Sequence, residues 1–160
     1  MKNLILTLVL ATAYLCSFAT IETTKGSDIK SINYIESYDG VKYFKKMRKG
    51  LNGKLIATTI DGEKVSYDLD NVRTYRMNGK EYQKKYIVNT QSQTVEKEFL
   101  QRMYTAAGYS LFKRVKGANE RFSLSDLYVY KGETQMHQLN KENHKVILSF
   151  FFPRFNLMFS

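Results

Sequence analysis

The densest cluster of side chains able to do chemistry is a basic run, Lys42, Lys45, Lys46, Arg48 and Lys49, within YDGVKYFKKMRKGLNG. Cations at this density attract phosphate, sulfate or carboxylate groups, which makes the run a candidate anion-binding site. What it can grip depends on the backbone beneath it. As a helix, Val41, Phe44, Met47 and Leu51 form an apolar stripe while Lys42, Lys45, Lys46 and Lys49 gather opposite, a focused anion-binding face. As a strand, Lys42, Lys46 and Arg48 fall on one face and Lys45 and Lys49 on the other. The strand is preferred: Gly40, Gly50 and Gly53 bracket a short segment centred on Tyr43 and Phe44, and edge strands commonly carry lysine to block pairing with other chains. A charged edge is also the ordinary structural role of such a run. The divided charges disfavour nucleic acid, whose groove binders need more than charge.

Tyrosines form the second candidate. Tyr67, Tyr75 and Tyr82 could make a stacking face for sugars or bases, with Tyr86, Tyr128 and Tyr130 adding to it; cross-strand packing is their structural alternative. Imidazole comes only from His137 and His144, and a helix expected to begin at Asn140 separates them onto different faces, which disfavours a zinc pair. Asp68 and Asp70 flank Leu69 at a strand end, where a cation or a glycosidase pair is conceivable. Asp70-Asn71 is ordinary turn chemistry, however, and Asp68 falls on the solvent side. HExxH, GxSxG, Walker and GxGxxG patterns are absent, and nothing marks a serine triad. No metal or cofactor is called for, and the balance leans away from an enzyme.

The elements that must position these groups are organised around Lys54 to Asn89. Here Asp61-Gly62 and Asn78-Gly79 separate segments that alternate apolar and polar residues, the pattern of two successive β-hairpins with type I′ turns. A two-residue loop at Asp61-Gly62 sets Ile60 opposite Glu63, Thr58 opposite Val65 and Ile56 opposite Tyr67. Ile56, Ile60, Val65, Tyr67 and Leu69 then share the inner face, and Lys64, Ser66 and Asp68 point outward. At Asn78-Gly79 the same arithmetic pairs Tyr75 with Tyr82 and Arg76 with Glu81. Asp39-Gly40 suggests a further reversal. Glu96 to Val115 is ambiguous: Phe99, Leu100, Met103, Tyr104 and Ala107 have helical spacing with Gly108 as a stop, yet Tyr109, Leu111, Phe112 and Val115 read as a strand with FLQRMY as its partner. A hairpin over Leu124–Leu139 around Gly132 follows, then a helix from Lys141 capped by Asn140, with Val146, Ile147 and Phe150 inward. Pro153 bars its simple continuation.

The expected fold is mainly β, an antiparallel meander or partly closed barrel or roll of hairpins with a short C-terminal helix. Residues 34–148 form one domain, 20–33 a flexible lead-in, and 149–160 an atypical Phe-rich end. At the start, Lys2, an apolar run from Leu4 to Leu15 and Ser17-Phe18-Ala19 have the form of a secretory signal peptide over 1–19. The run is too short to span a bilayer comfortably, and the bulky Leu15 before Cys16 disfavours a lipoprotein. Cys16 is the only cysteine, so loss of the leader excludes disulfides and thiol chemistry. The net charge of +10 favours attraction to anionic surfaces without naming one.

The order YFKKMRKGLNGKLIATTIDGEKVSYDLDNVRTYRMNGKEYQK, EFLQRMYTAAGYSLFKRV, LYVYKGE, LNKENHKVIL resembles a group of small exported proteins of Gram-negative bacteria with no assigned function, over roughly Val41 to Leu148. The resemblance implies paired strands over Phe99 to Val115 and a periplasmic or extracellular location. It brings no catalytic or binding residue, and FPRFNLMFS departs from it. Three functions are consistent with these readings: a non-enzymatic binding or envelope-associated domain whose partner is an anionic envelope polymer or a protein, a hydrolase of envelope polymers, and a subunit that buries its Phe-rich C-terminus in a complex.

Overall fold

The computed structural model describes residues 32–50, 53–89, 92–115 and 123–156; the expected leader and nearly all of the lead-in lie outside the described residues. Eleven strands follow one another: β1 (Asn33–Ser37), β2 (Gly40–Phe44), β3 (Lys46–Lys49), β4 (Leu55–Thr58), β5 (Lys64–Tyr67), β6 (Val72–Met77), β7 (Lys80–Asn89), β8 (Thr94–Ala106), β9 (Tyr109–Arg114), β10 (Leu127–Lys131) and β11 (Thr134–Gln138). Among the described residues two helices follow the last strand, α1 (His144–Phe151) and α2 (Pro153–Asn156). Eight strands form one antiparallel sheet in the order β11-β10-β9-β8-β7-β6-β1-β2, and β3-β4-β5 form a second. The mainly β architecture expected from the hairpin pattern is present, as a curled open sheet and not a closed barrel.

The turns explain the registers. Asn78 and Gly79 both have positive φ, 53° and 74°, and the type I′ turn they make pairs Tyr75 with Tyr82 and Arg76 with Glu81 as expected. Ala107 and Gly108 repeat this geometry at φ 48° and 80°, folding Phe99 to Arg114 into the β8–β9 hairpin. Helical spacing there was coincidental: a strand can carry apolar residues on both faces when both are covered. The reversal expected near Asp39-Gly40 also occurs, with Tyr38 and Asp39 as the loop between β1 and β2 and Gly40 paired with Ser37.

The Asp61-Gly62 loop differs from its expected form. Thr59 closes it by accepting from Gly62 N at its carbonyl (3.2 Å) and from Glu63 N at Oγ1 (3.1 Å), so Ile60, Asp61 and Gly62 make a three-residue loop with Gly62 at φ 91°. Such a loop ends in a left-handed residue and slips the register by one. Ala57 therefore faces Val65, and Leu55 faces Tyr67. Leu55 and Ala57 are fully buried while Ile60 is 75% exposed. The expected inner positions of Ile56 and Ile60 are thus overturned. Val65 and Tyr67 keep their inward side, and Lys64 and Ser66 are exposed.

One face of the large sheet carries two cores. Ile35, Tyr75 and Tyr82 pack against Phe44, Met47, Leu55 and Ala57 beneath the small sheet. Leu111, Leu127 and Val129 pack against Ile147, Leu148 and Phe152 beneath α1. A bulge in β8 between Arg102 and Tyr104 lets Tyr104 turn to this second core, edge-on to Phe152 at 5.9 Å, while Arg102 stays on the opposite face. The helix begins later than expected. Asn140 Oδ1 accepts from Glu142 N and Asn143 N and caps a turn, and α1 proper starts at His144. Ile147 is buried as expected, but Val146 and Phe150 face outward, 69% and 78% exposed, because the later start rotates Leu148 and Phe152 onto the sheet.

The other face of the large sheet curls on itself. Ile87, Leu100, Phe112, Tyr128 and Tyr130 fill the hollow, and side chains stitch β7 to the β10–β11 hairpin. Buried Lys85 donates to Gly132 O (3.0 Å) and Glu133 Oε1 (2.9 Å). Tyr130 donates to Tyr86 O at 2.7 Å, and the Gln135 amide bridges Val88 N and O.

Candidate functional site

The basic run lies on two adjoining edge strands, β2 and β3, as the strand reading required. Lys42, Lys45, Lys46, Arg48 and Lys49 are all exposed. Alternation divides them. Met47 enters the core, so Lys46 and Arg48 project from the outer face of the small sheet. Lys49 lies on the side of the core, its ammonium 5.7 Å from the Tyr82 ring, while Lys42 belongs to β2 and Lys45 to the bend between the strands.

Pairing adds a residue that the run alone does not reveal. Lys46 pairs with Thr58, which pairs with Lys64; Arg48 pairs with Ile56, which pairs with Ser66. Lys46, Arg48 and Lys64 therefore share one outer face across about 10 Å, two strand spacings. None of the three makes an ion pair among the described residues. Gly50 supports this surface. A Cβ there would lie 3.0 Å from Ile56 Cδ1, so a larger residue would require the Ile56 side chain to shift.

The tyrosines pack instead of presenting a platform. Tyr75 is fully buried and Tyr82 nearly so, stacked with centroids 4.7 Å apart and planes 16° from parallel, while Tyr67 meets Phe44 edge-on at 5.6 Å. Burial pushes the Tyr75 and Tyr82 hydroxyls above their ordinary range. Asp68 Oδ1 accepts from Asp70 N at 3.0 Å, capping a short 3-10 turn, and Lys84 Nζ donates to Leu69 O and Asp70 O at 2.5 and 2.8 Å. That turn is stapled to β7 by an ammonium. His137 meets the Phe151 ring at 5.7 Å, and His144 Nδ1 lies 3.1 Å from Asn140 O and Lys141 O. No group of three or more metal-ligating side chains occurs among the described residues.

A second polar centre occupies the opposite face of the large sheet. Cross-strand pairing brings Arg76, Glu81 and Arg102 into one row. Buried Glu81 accepts from Arg102 Nη2 at 2.7 Å and Arg76 Nη2 at 3.3 Å on Oε2, and from Gln83 Nε2 at 3.1 Å on Oε1. Tyr34 lies alongside, its ring 5.7 Å from the Arg76 guanidinium. Burial first, and then the Glu81 charge, push its hydroxyl up to about 12. Arg76, Glu81 and Arg102 border an open cavity of about 490 Å³, whose lining is completed by Gly79, Met103, Tyr104 and Thr105. The Arg76–Glu81 pair is readable from the Asn78-Gly79 turn; Arg102 is not, because its strand was the ambiguous one.

No protein-family model, curated protein or solved structure matches this chain.

Proposed function

We propose that this is an exported, non-enzymatic binding or envelope-associated domain that holds an anionic polymer against the outer face of its small sheet. The observation that carries the reading is the co-facial, exposed set Lys46, Arg48 and Lys64, which has no ion-pair partner among the described residues. A flat cationic sheet face suits a repeating polyanion, whose successive charges meet successive rows, better than a single small ion. The signal-peptide form of residues 1–19 and the resemblance to exported proteins support the location. A hydrolase has less support, since the one carboxylate lining the described cavity, Glu81, is engaged by two arginines.

The test is retention of the full chain on an anionic polysaccharide matrix. K46E/R48E/K64E should elute at much lower salt than the parent, because exposed charges act through screened interactions. K131E/K141E/K145E makes the same change in net charge at exposed lysines outside the small sheet and should elute near the parent. Equal loss in both variants would leave only net charge as the cause.

A further inference from the structure

We propose that the cavity between the β6–β7 turn and the β8 bulge binds a carboxylate, gripped by Arg102 and Arg76 above their shared Glu81 anchor. This site lies on the face of the large sheet opposite the small sheet, so it is separate from the polymer-binding face and does not depend on it.

Three observations converge. Glu81 uses one oxygen to hold a single Nη of each arginine, which tethers both guanidinium groups beside the cavity while leaving their other N–H donors for a ligand. Arg76 Nε is buried and has no hydrogen-bond partner among the described residues, a costly state for a cationic donor. The β8 bulge at Met103 keeps Arg102 aimed along this face, its side chain 35% exposed at the cavity; bulges commonly re-aim a side chain next to a site.

The charge selects the ligand class. Two guanidinium groups and one carboxylate sum to one positive charge, which a monoanion neutralises, whereas a phosphate dianion would leave excess negative charge beside Glu81. A planar carboxylate also matches the guanidinium fork. The cavity, about 490 Å³, lies within the range of small-ligand sites. The carboxylate could belong to a free organic acid or to a uronic acid unit of a glycan.

The experiment is an amide-shift titration of the isotopically labelled full chain with benzoate, galacturonate, phosphate and chloride at matched ionic strength. The expected result is saturable shifts at Arg76, Gly79, Arg102 and Met103 with at least one of the two carboxylates. Phosphate should bind at least tenfold more weakly, and chloride should give no saturation. Tighter binding of benzoate assigns a free acid, and tighter binding of galacturonate a glycan unit. R102Q should weaken the binding at least tenfold. R102K, which keeps the charge without the fork, should weaken it several-fold and carries the test if R102Q does not fold. K141E/K145E should bind as the parent does. Unsaturable shifts with both carboxylates, phosphate binding as tight as theirs, or undiminished binding in R102K would overturn the proposal.

Discussion

Leu55 and Ile60 lie five positions apart on the two sides of a one-residue difference in strand register. Leu55 has no exposed surface and packs among Phe44, Met47 and Ala57, whereas Ile60 sits on a loop with three quarters of its surface in water. Leu55→Ala should therefore cost about 2–5 kcal/mol, the range for a buried leucine that leaves a cavity. Ile60→Ala should stay within about 0.5 kcal/mol. Urea unfolding checks both, and the reverse order would restore the register implied by a two-residue loop. Tyr34 makes a prediction in pH. Its folded-state hydroxyl is raised from 10 to about 12, so the folded chain holds the phenolic proton more tightly than the unfolded one. That contribution is complete below pH 10 and disappears as pH rises through 12. Tyr34→Phe should flatten the fall in stability between pH 10 and pH 12, measured by urea midpoints; an unchanged alkaline profile would contradict the burial of the Tyr34 hydroxyl.

At the scale of elements, legibility followed the turns. Asn78-Gly79 specified its hairpin to the residue because two positive φ values leave few alternatives. Asp61-Gly62 misled the register by one residue because the same dipeptide also closes a three-residue loop, which Thr59 Oγ1 favours by accepting from Glu63 N. The β8–β9 turn was harder still. It places Ala107 at φ 48°, and alanine gives no signal for a left-handed position. A non-glycine residue held there is strained by about 1–2 kcal/mol, partly offset by its smaller entropy loss. Ala107→Gly should raise stability by about 0.5–1 kcal/mol, read as a higher thermal or urea midpoint, and a loss of stability would show that the turn is not left-handed. The helix was misphased for a related reason: Asn140 was a correct cap, but of a turn that precedes α1. Val146 and Phe150 rotated outward as a result.

At the scale of the molecule, the large sheet has a different task on each face. One face supports two separate covers, the small sheet and α1. The other curls around its own aromatic filling and is stitched along β7 by Lys85, Tyr130 and Gln135. Alternation in the sequence identified inward and outward residues within one hairpin. It could not show that distant strands share a face, because that depends on sheet order. Lys64 joined Lys46 and Arg48 only through β4, and Arg102 joined Arg76 only through β7. The basic run was visible from the outset; the grouping that gives it a direction was not.

If Lys46, Arg48 and Lys64 on one sheet face, and not the net charge of +10, engage a polyanion, removing them must change its binding more than removing other cations does. The most direct measurement is the dependence of affinity on salt for the parent, K46E/R48E/K64E and K131E/K141E/K145E, each titrated with one anionic polysaccharide. Each released counterion contributes to the slope of log affinity against log salt. Engagement by the sheet face requires a slope reduced by about two to three in the first variant and nearly unchanged in the second. Parallel lines for the two variants would contradict it.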